Sequence, residues 1–287
     1  MTPTALPKTW FITGASRGFG LEIARQALAR GDTVAATARR PADVTAALGA
    51  HPNLLVVPLD VTNEAQATEA VQAAIARFGR IDVLVNNAGF GLLGAIEESS
   101  AADVRAQFDT NVFGLLHVTR AALPFLREQG SGHVVNLSSV AGYQSFPGFG
   151  VYSATKFAVE GLTEALAAEL APLGVFATVV EPGFFRTDFL DDRSLANTAS
   201  RIGAYAATVG ASRELAAGVN HRQAGDPVKL ATQVLALADL PAPPLRLPLG
   251  SDTVQYVRAK NAFVEAEFAK WNAVAASTDH DDVAASR

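Results

Sequence analysis

The sequence predicts an α/β fold: a doubly wound parallel β-sheet of about seven strands, with helices on both faces. Three observations predict it. Short apolar runs rich in Val and Ile, about six residues each, alternate with longer amphipathic stretches. The runs are continuous in their apolarity, as in strands buried on both faces of a parallel sheet. No fixed-period repeat and no linker-like stretch divides the 287 residues, so one domain over residues 1–287 is expected.

In chain order, "TWFIT" (Thr9–Thr13) reads as the first strand and Gly18–Arg30 as the first helix. "TVAATA" (Thr33–Ala38) and "LLVVPL" (Leu54–Leu59) read as the next two strands, with a helix over Asn63–Phe78 after them. "IDVLVN" (Ile81–Asn86) precedes a long helix over Ala101–Arg127. "HVVNLS" (His133–Ser138) and "VFATVVE" (Val175–Glu181) flank a helix over Tyr152–Leu173. The Pro-rich stretch "PAPPLRLPLG" reads as a loop into a last short strand, Leu245–Leu249. Such alternation implies right-handed crossovers. Residues 184–226 break the rhythm: they are helical in pattern, no strand is expected, and as an insertion they predict a substrate lid. Residues 276–287 read as a polar, frayed tail.

The formal net charge of -5 argues against a nucleic-acid binder, which usually carries a basic face. The absence of cysteine excludes disulfides, thiolate metal sites and a cysteine nucleophile. The opening "MTPTALPKTWFITG" has no basic region followed by an apolar run, and no stretch approaches ~18 continuous apolar residues. A cytoplasmic protein acting on small molecules away from membranes is therefore expected. The histidines His51, His117, His133, His221 and His280 share no ligand spacing, and Asp188, Asp191 and Asp192 read as a solvated face, so no metal site is expected.

The stretch "TGASRGFG" (Thr13–Gly20) follows the first strand and opens the first helix. Its glycines Gly14, Gly18 and Gly20 let the backbone turn tightly and approach a ligand. Ser16, Arg17 and Phe19 fill the loop, and the helix N-terminus offers N–H groups to a pyrophosphate. The spacing G-x-x-x-G-x-G is one residue longer in its first gap than the G-x-G-x-x-G fingerprint, but its position makes it a dinucleotide loop of Rossmann type. Sites for NAD commonly place a carboxylate at the end of the second strand. Here that place holds Ala38, followed by Arg39 and Arg40. Guanidinium groups bind phosphate well, so Arg17 and Arg39 predict a 2′-phosphate and hence NADP(H).

"VYSATK" places Tyr152 four residues before Lys156, on one helical face. Alone, the pair reads as an ordinary surface pair at helical spacing. Together with "TGASRGFG", "LDV" around Asp60, "NNAG" (Asn86–Gly89), Asn111 in "DTNVFG", "VVNLSS" and "PGFFRT" (Pro182–Thr187), however, it falls into a recognisable order. From about Thr9 to Thr187 the chain resembles the short-chain dehydrogenase/reductase family, with a pattern closer to its NADP-linked hydroxysteroid and retinol dehydrogenase branch. The resemblance implies a catalytic tetrad of Asn111, Ser139, Tyr152 and Lys156. Ser139 is preferred to Ser138 because the family's serine usually lies about thirteen positions before the tyrosine. It further implies cofactor contacts from Asp60, Val61, Asn87, Ala88, Gly89, Pro182, Gly183, Phe185 and Thr187. Family members usually pair through the two long helices, which implies a homodimer or homotetramer.

The chemistry needs a hydride on carbon and a proton on oxygen. A phenol with pKa near 10 is a sluggish proton donor at neutral pH. An ammonium about 4 Å away at an effective dielectric of about 20 is worth roughly 4 kcal/mol. On that reasoning Lys156 brings Tyr152 down to near 7, before desolvation takes some of the shift back. Ser139 donates to the substrate oxygen. Asn111, a poor residue for a helix interior, is expected by resemblance to interrupt that helix and to hold a water in a relay toward Lys156. Phe146, Phe149, Phe184 and Phe189 predict an apolar substrate pocket. The expected activity is interconversion of a ketone or aldehyde and an alcohol on a bulky hydrophobic or aromatic substrate. The alternatives are a 3-oxoacyl-thioester reductase and a catalytically silent NADP-sensing or scaffold protein.

Overall fold

The computed structural model describes residues 6–280. In chain order the elements are β1 Thr9–Ile12, α1 Gly18–Ala29, β2 Thr33–Ala38, α2 Pro41–Leu48, β3 Leu54–Pro58, α3 Glu64–Phe78, β4 Val83–Asn86 and β5 Gly91–Leu93. Then follow α4 Ala101–Phe108, a π-helical turn Asp109–Phe113, α5 Gly114–Gln129, β6 Gly132–Leu137, α6 Gly150–Leu170 and β7 Val175–Pro182. The C-terminal part comprises β8 Leu195–Asn197, α7 Ala211–Val219, α8 Pro227–Leu237, β9 Arg246–Leu249 and α9 Ser251–Ala276.

Seven strands form one sheet in the order β3-β2-β1-β4-β6-β7-β9, with every neighbouring pair parallel. Both faces are covered, which is why all four residues of β1 are buried. Alternate side chains serve opposite cores. Trp10 and Ile12 join a layer with Ile23 and Ala27 of α1 and Leu230 and Val234 of α8. Phe11 joins the opposite layer with Val71 of α3 and Val118 and Leu126 of α5. Helix boundaries follow local chemistry. Asn63 caps α3 by accepting from the Gln66 N–H at 3.1 Å, and α3 stops at Gly79 in the left-handed conformation. The chain runs outward from β1 to β3 and returns to β4 on the other side. The C-terminal ends of β1 and β4 therefore part, and a crevice opens between their loops.

Several expectations need correction. The helical stretch expected over Ala101–Arg127 runs to Gln129, and the interruption expected at Asn111 takes the form of the π turn Asp109–Phe113 between α4 and α5. Residues 184–226 were expected to hold no strand, yet β8 pairs in parallel with β5, Gly91 opposite Leu195. Three residues on each side are too few to display an alternation that sequence could reveal. The helix expected to begin at Tyr152 begins at Gly150 and ends at Leu170. Helix α2 had no periodic signal in its short length. The last strand is followed by the 26-residue α9, so the tail expected from residue 276 starts at the helix end; its part over 281–287 lies outside the described residues.

His133 on β6 is buried, with Nε2 2.9 Å from Thr178 Oγ1. Burial, helped by the charge of Lys8, pushes its pKa down to about 4. The folded chain thus holds a neutral imidazole, while the unfolded chain protonates near 6.5. The contribution is complete above about pH 6.5, and it is lost as pH falls toward 4, by at most about 3 kcal/mol. Denaturation midpoints of the parent are expected to drop more steeply from pH 6.5 to 4 than those of His133→Leu. Parallel curves would refute the assignment.

Candidate active site

The C-terminal edge of the sheet opens into a cavity of about 710 Å³. Gly14, Ser16, Arg17, Gly18 and Phe19 line one side of it. Gly14 has φ +66°, and a Cβ there would stand 3.0 Å from Ala88 Cα. Gly20 does not reach the cavity. It lies behind the loop, where a Cβ would fall 2.5 Å from Asn87 Nδ2 and 2.6 Å from the Gly14 carbonyl oxygen. Unlike α3, helix α1 has neither a side-chain cap nor an acidic residue in its first turn, which suits an anion there.

Asn87 fastens this loop. Its Nδ2 donates to the carbonyls of Thr13 and Gly14 at 2.8 and 3.0 Å. Thr13 Oγ1 accepts from the Asn87 and Ala88 N–H groups at 2.9 and 3.0 Å. Ala88 and Gly89 continue along the wall, while Ala38, Arg39, Asp60 and Val61 line the far end. Arg40 pairs with Asp43 at 2.7 Å, and among the described residues Arg39 has no ion-pair partner. Arg17 donates to the Arg193 carbonyl at 3.0 Å, tying the glycine loop to the lid. Asp60 Oδ1 accepts from the backbone N–H and the hydroxyl of Thr62.

Ser139, Tyr152 and Lys156 share the cavity wall, brought together by the end of β6 and the first two turns of α6. The Ser139 hydroxyl faces the phenol, whereas Ser138 Oγ is buried next to Gly142 and Glu160. Lys156 Nζ donates to the Leu137 carbonyl at 2.7 Å and lies 5.8 Å from the centre of the Tyr152 ring. Burial pushes Tyr152 up to about 12, with the Ser139 hydroxyl opposing. Burial pushes Lys156 down to about 8, opposed by Glu160. This corrects the expectation that the lysine sets the phenol near 7. Both groups lose their water, so the charged form of each is penalised.

Asn111 is absent from the cavity wall. Its Oδ1 accepts from the Phe90 N–H at 3.1 Å, and its Nδ2 donates to the Phe90 carbonyl at 3.0 Å and to Thr155 Oγ1 at 3.1 Å. The side chain thereby ties the π turn to the segment after β4 and to α6.

Pro182, Gly183, Phe184, Phe185 and Thr187 line the cavity opposite the glycine loop. Phe185 is also core, meeting Phe19 edge-on at 5.4 Å. Phe149 and Phe189 flank Tyr152 at centroid distances of 6.3 and 5.6 Å, and Phe146 lines the same end. The lid is itself stapled. Buried Glu98 accepts from the Ala95 N–H, the Ile202 N–H and Arg213, which together hold its carboxyl down to about 2. Asp188, Asp191 and His221 place donor atoms within 4.8 Å of one another, a proximity their spacing concealed; Asp191 is bonded to Asn220 and His221.

The cradle fits a dinucleotide: a glycine loop open to ligand at one end, proton-transfer groups at the other, and an uncapped helix between. Comparison with known proteins decides the family. Residues 8–198 match the family model described as short chain dehydrogenase. The chain belongs to the short-chain dehydrogenases. An oxidoreductase named BOA17 from Botryotinia fuckeliana is 41% identical over 268 residues, 93% of this chain and 97% of that one. The 3-ketodihydrosphingosine reductase of Bacteroides thetaiotaomicron is 36% identical, covering 89% and 92%. A short-chain dehydrogenase structure from Streptomyces avermitilis superposes with TM-score 0.89 at 43% identity, covering 96% and 99%. A Burkholderia phymatum member at 30% identity and TM-score 0.78 (91% and 95% covered) holds NAD, and a serine dehydrogenase at 31% and 0.72 (84% and 94% covered) holds NADP+. The dehydrogenase fold here is thus one for a nicotinamide dinucleotide, and its chemistry is oxidoreduction between carbonyl and alcohol.

Sequence reasoning missed Arg193, Ser194 and Gln223 on the wall of this short-chain dehydrogenase. They belong to the lid, where no motif or periodicity marks them.

With no dinucleotide added, the Tyr152 phenol is expected to stay protonated through pH 10. The phenolate absorbance of the parent minus that of Tyr152→Phe should be flat from pH 7 to 10; a sigmoid within that window would overturn the burial argument.

Proposed function

We propose that the protein is an NADPH-dependent carbonyl reductase acting on bulky hydrophobic or aromatic ketones and aldehydes. The observation that carries it is the shared wall: Ser139, Tyr152 and Lys156 stand at one end of a cavity whose other end is the glycine loop. A bound dinucleotide would supply the hydride and, when oxidised, carry a positive charge that favours the phenolate. Ser139 donates a hydrogen bond to the substrate oxygen and so holds the carbonyl against Tyr152. Tyr152 Oη gives its proton to that oxygen as the alkoxide forms. Lys156, held by Leu137, keeps a cation behind the Tyr152 ring and favours the phenolate left behind. Asn111 serves as a positioning residue, keeping the π turn against α6. The rings of Phe146, Phe149 and Phe189 around the tyrosine support an apolar substrate, consistent with a lipid-named relative. Gly14, Ser16, Gly18, Phe19, Asp60, Val61, Asn87, Ala88, Gly89, Pro182, Gly183, Phe185 and Thr187 are proposed along the cofactor.

Preference for NADP(H) rests on Arg39 at the adenine end, with Ala38 where a carboxylate would repel a 2′-phosphate. Arg17 already donates to the Arg193 carbonyl through Nη2, whereas Arg39 has no ion-pair partner among the described residues, so Arg39 is the principal contact and Arg17 the second. The parent should bind NADPH far more tightly than NADH, and Arg39→Asp should narrow that gap at least tenfold in titrations of dinucleotide fluorescence. Equal affinities in the parent would discard the phosphate argument.

Turnover is tested by NADPH oxidation with a panel of aryl ketones. Tyr152→Phe should keep NADPH affinity within about twofold and lose at least 10²-fold in kcat. If the parent binds NADPH but leaves every carbonyl untouched, a sensing role replaces the enzymatic one.

A further inference from the structure

One helical turn along α6 from Lys156, and on the same face, stands Glu160. Both residues are buried, as is Glu181 on β7. A single cation serves these acids. One terminal nitrogen of Arg246, on β9, donates to Glu160 Oε2 at 2.6 Å and to Glu181 Oε1. The other donates to Glu164, on the exposed side of α6. Three carboxylates on one guanidinium carry two negative charges in excess, and two of the three are out of water. One of the buried pair therefore gives up its charge more readily than an ordinary carboxylate. Glu160 is marked as that one, because its Oε1 is buried with no hydrogen-bond partner. Ser138 Oγ is close by: a Cβ on Gly142 would stand 2.8 Å from Glu160 Oε1 and 2.4 Å from Ser138 Oγ. Burial, joined by the charge of Glu181, pushes the Glu160 carboxyl above the usual carboxylate range, with Ser138 and Arg246 opposing.

We propose that Glu160 is a positioning residue for the reaction: acting through Lys156, it keeps that side chain cationic on the alkaline side of neutrality. The assignment rests on the reductase reading above, in which the cation behind the Tyr152 ring favours the phenolate. Burial weakens the ammonium, and Glu160 opposes that weakening. As pH rises, the buried ammonium and the buried carboxyl each have a proton to release. When the carboxyl releases its proton to water, Glu160 becomes an anion one turn from Lys156, and the ammonium holds its own proton more firmly. Arg246 receives the new anion at Oε2, so the ionisation strands no charge. Glu181 and Glu164 delay it by competing for the same guanidinium. Among the described residues, the charged groups that face Glu160 are thus Lys156 and Glu164 on α6, Glu181 on β7 and Arg246 on β9. The chain after β6 adds the Ser138 hydroxyl and Tyr143, whose ring centre lies 5.5 Å from the guanidinium. Asp103, Arg105 and Asp109, on α4 and the π turn that also pack on α6, make no ion pair with Glu160.

The test follows the charge of Lys156 directly, by carbon-13 NMR of labelled lysine side chains as pH is raised, with the resonance assigned through Lys156→Met. Glu160→Gln, which keeps the shape and removes the charge, should lower the Lys156 midpoint by about one pH unit. Glu160→Asp, which restores the charge, should recover part of that difference. Glu181→Gln frees Arg246 for Glu160 and should leave the Lys156 midpoint at or above that of the parent. In NADPH oxidation with an aryl ketone, the alkaline limb of kcat/KM should move down in Glu160→Gln by the same interval as the midpoint. An unmoved midpoint in Glu160→Gln overturns the assignment, and so does an alkaline limb that stays in place while the midpoint moves. Equal falls in Glu160→Gln and Glu181→Gln overturn it too, by showing that any disturbance of the cluster loosens the site. If Glu160→Gln does not fold, the direction of the Glu181→Gln shift decides, a fall counting against the assignment. A parent that reduces no carbonyl overturns the reductase reading, whereas the titration needs neither substrate nor dinucleotide and still decides whether Glu160 governs Lys156.

Discussion

At the switch point of the sheet, where β1 and β4 part, four hydrogen bonds join Thr13 and Gly14 to Asn87 and Ala88. They satisfy backbone groups just beyond the last rungs of the parallel ladder, where no strand remains to do so. They also bring two backbones so close that a Cβ has no room at Gly14 or Gly20. The glycine loop is thereby set at a fixed height over the crevice, and Phe19 can meet Phe185 from the opposite bank. The two ends of the cavity keep their separation because this seam does not give. Loss of any one partner would leave buried polar groups unpaired, so the seam holds as a unit.

The proton-transfer end obeys a different constraint, the cost of taking charge out of water. Tyr152 and Lys156 are both buried, and the structure holds the phenol neutral. Lys156 is spent first on the Leu137 carbonyl, and its charge lies behind the ring rather than against the hydroxyl. A neutral phenol is the state a reductase needs before its proton is given up. On the proposed reaction, the lysine would act on the phenolate left after transfer, when a cation nearby has most to offer.

The strands were legible because both-face burial writes continuous apolar runs such as "TVAATA" and "HVVNLS". The glycine loop and the Tyr152–Lys156 spacing were legible because each is local: a turn, or one helical face. What the sequence concealed is contact between distant segments. The β5–β8 ladder spans about a hundred residues with three residues a side. The interruption at Asn111 was expected, but its partners Phe90 and Thr155 were not, since neither is near in sequence. The neutral phenol could not be foreseen because burial of a residue beside its helix start depends on what the lid places over it.

The lid is tied down at two places that differ in strength. On the side away from the cavity, buried Glu98 receives two backbone N–H groups and the Arg213 guanidinium. Opening there would strand a carboxylate with its charge uncompensated, the most costly state a buried group can take. On the cavity side the tie is Arg17 to the Arg193 carbonyl, an accessible cation and a neutral acceptor, which water can replace at a cost of about 1 kcal/mol. The tie beside the cavity is thus the weaker of the two, and it lies in the segment that follows Phe189, whose ring stands 5.6 Å from that of Tyr152.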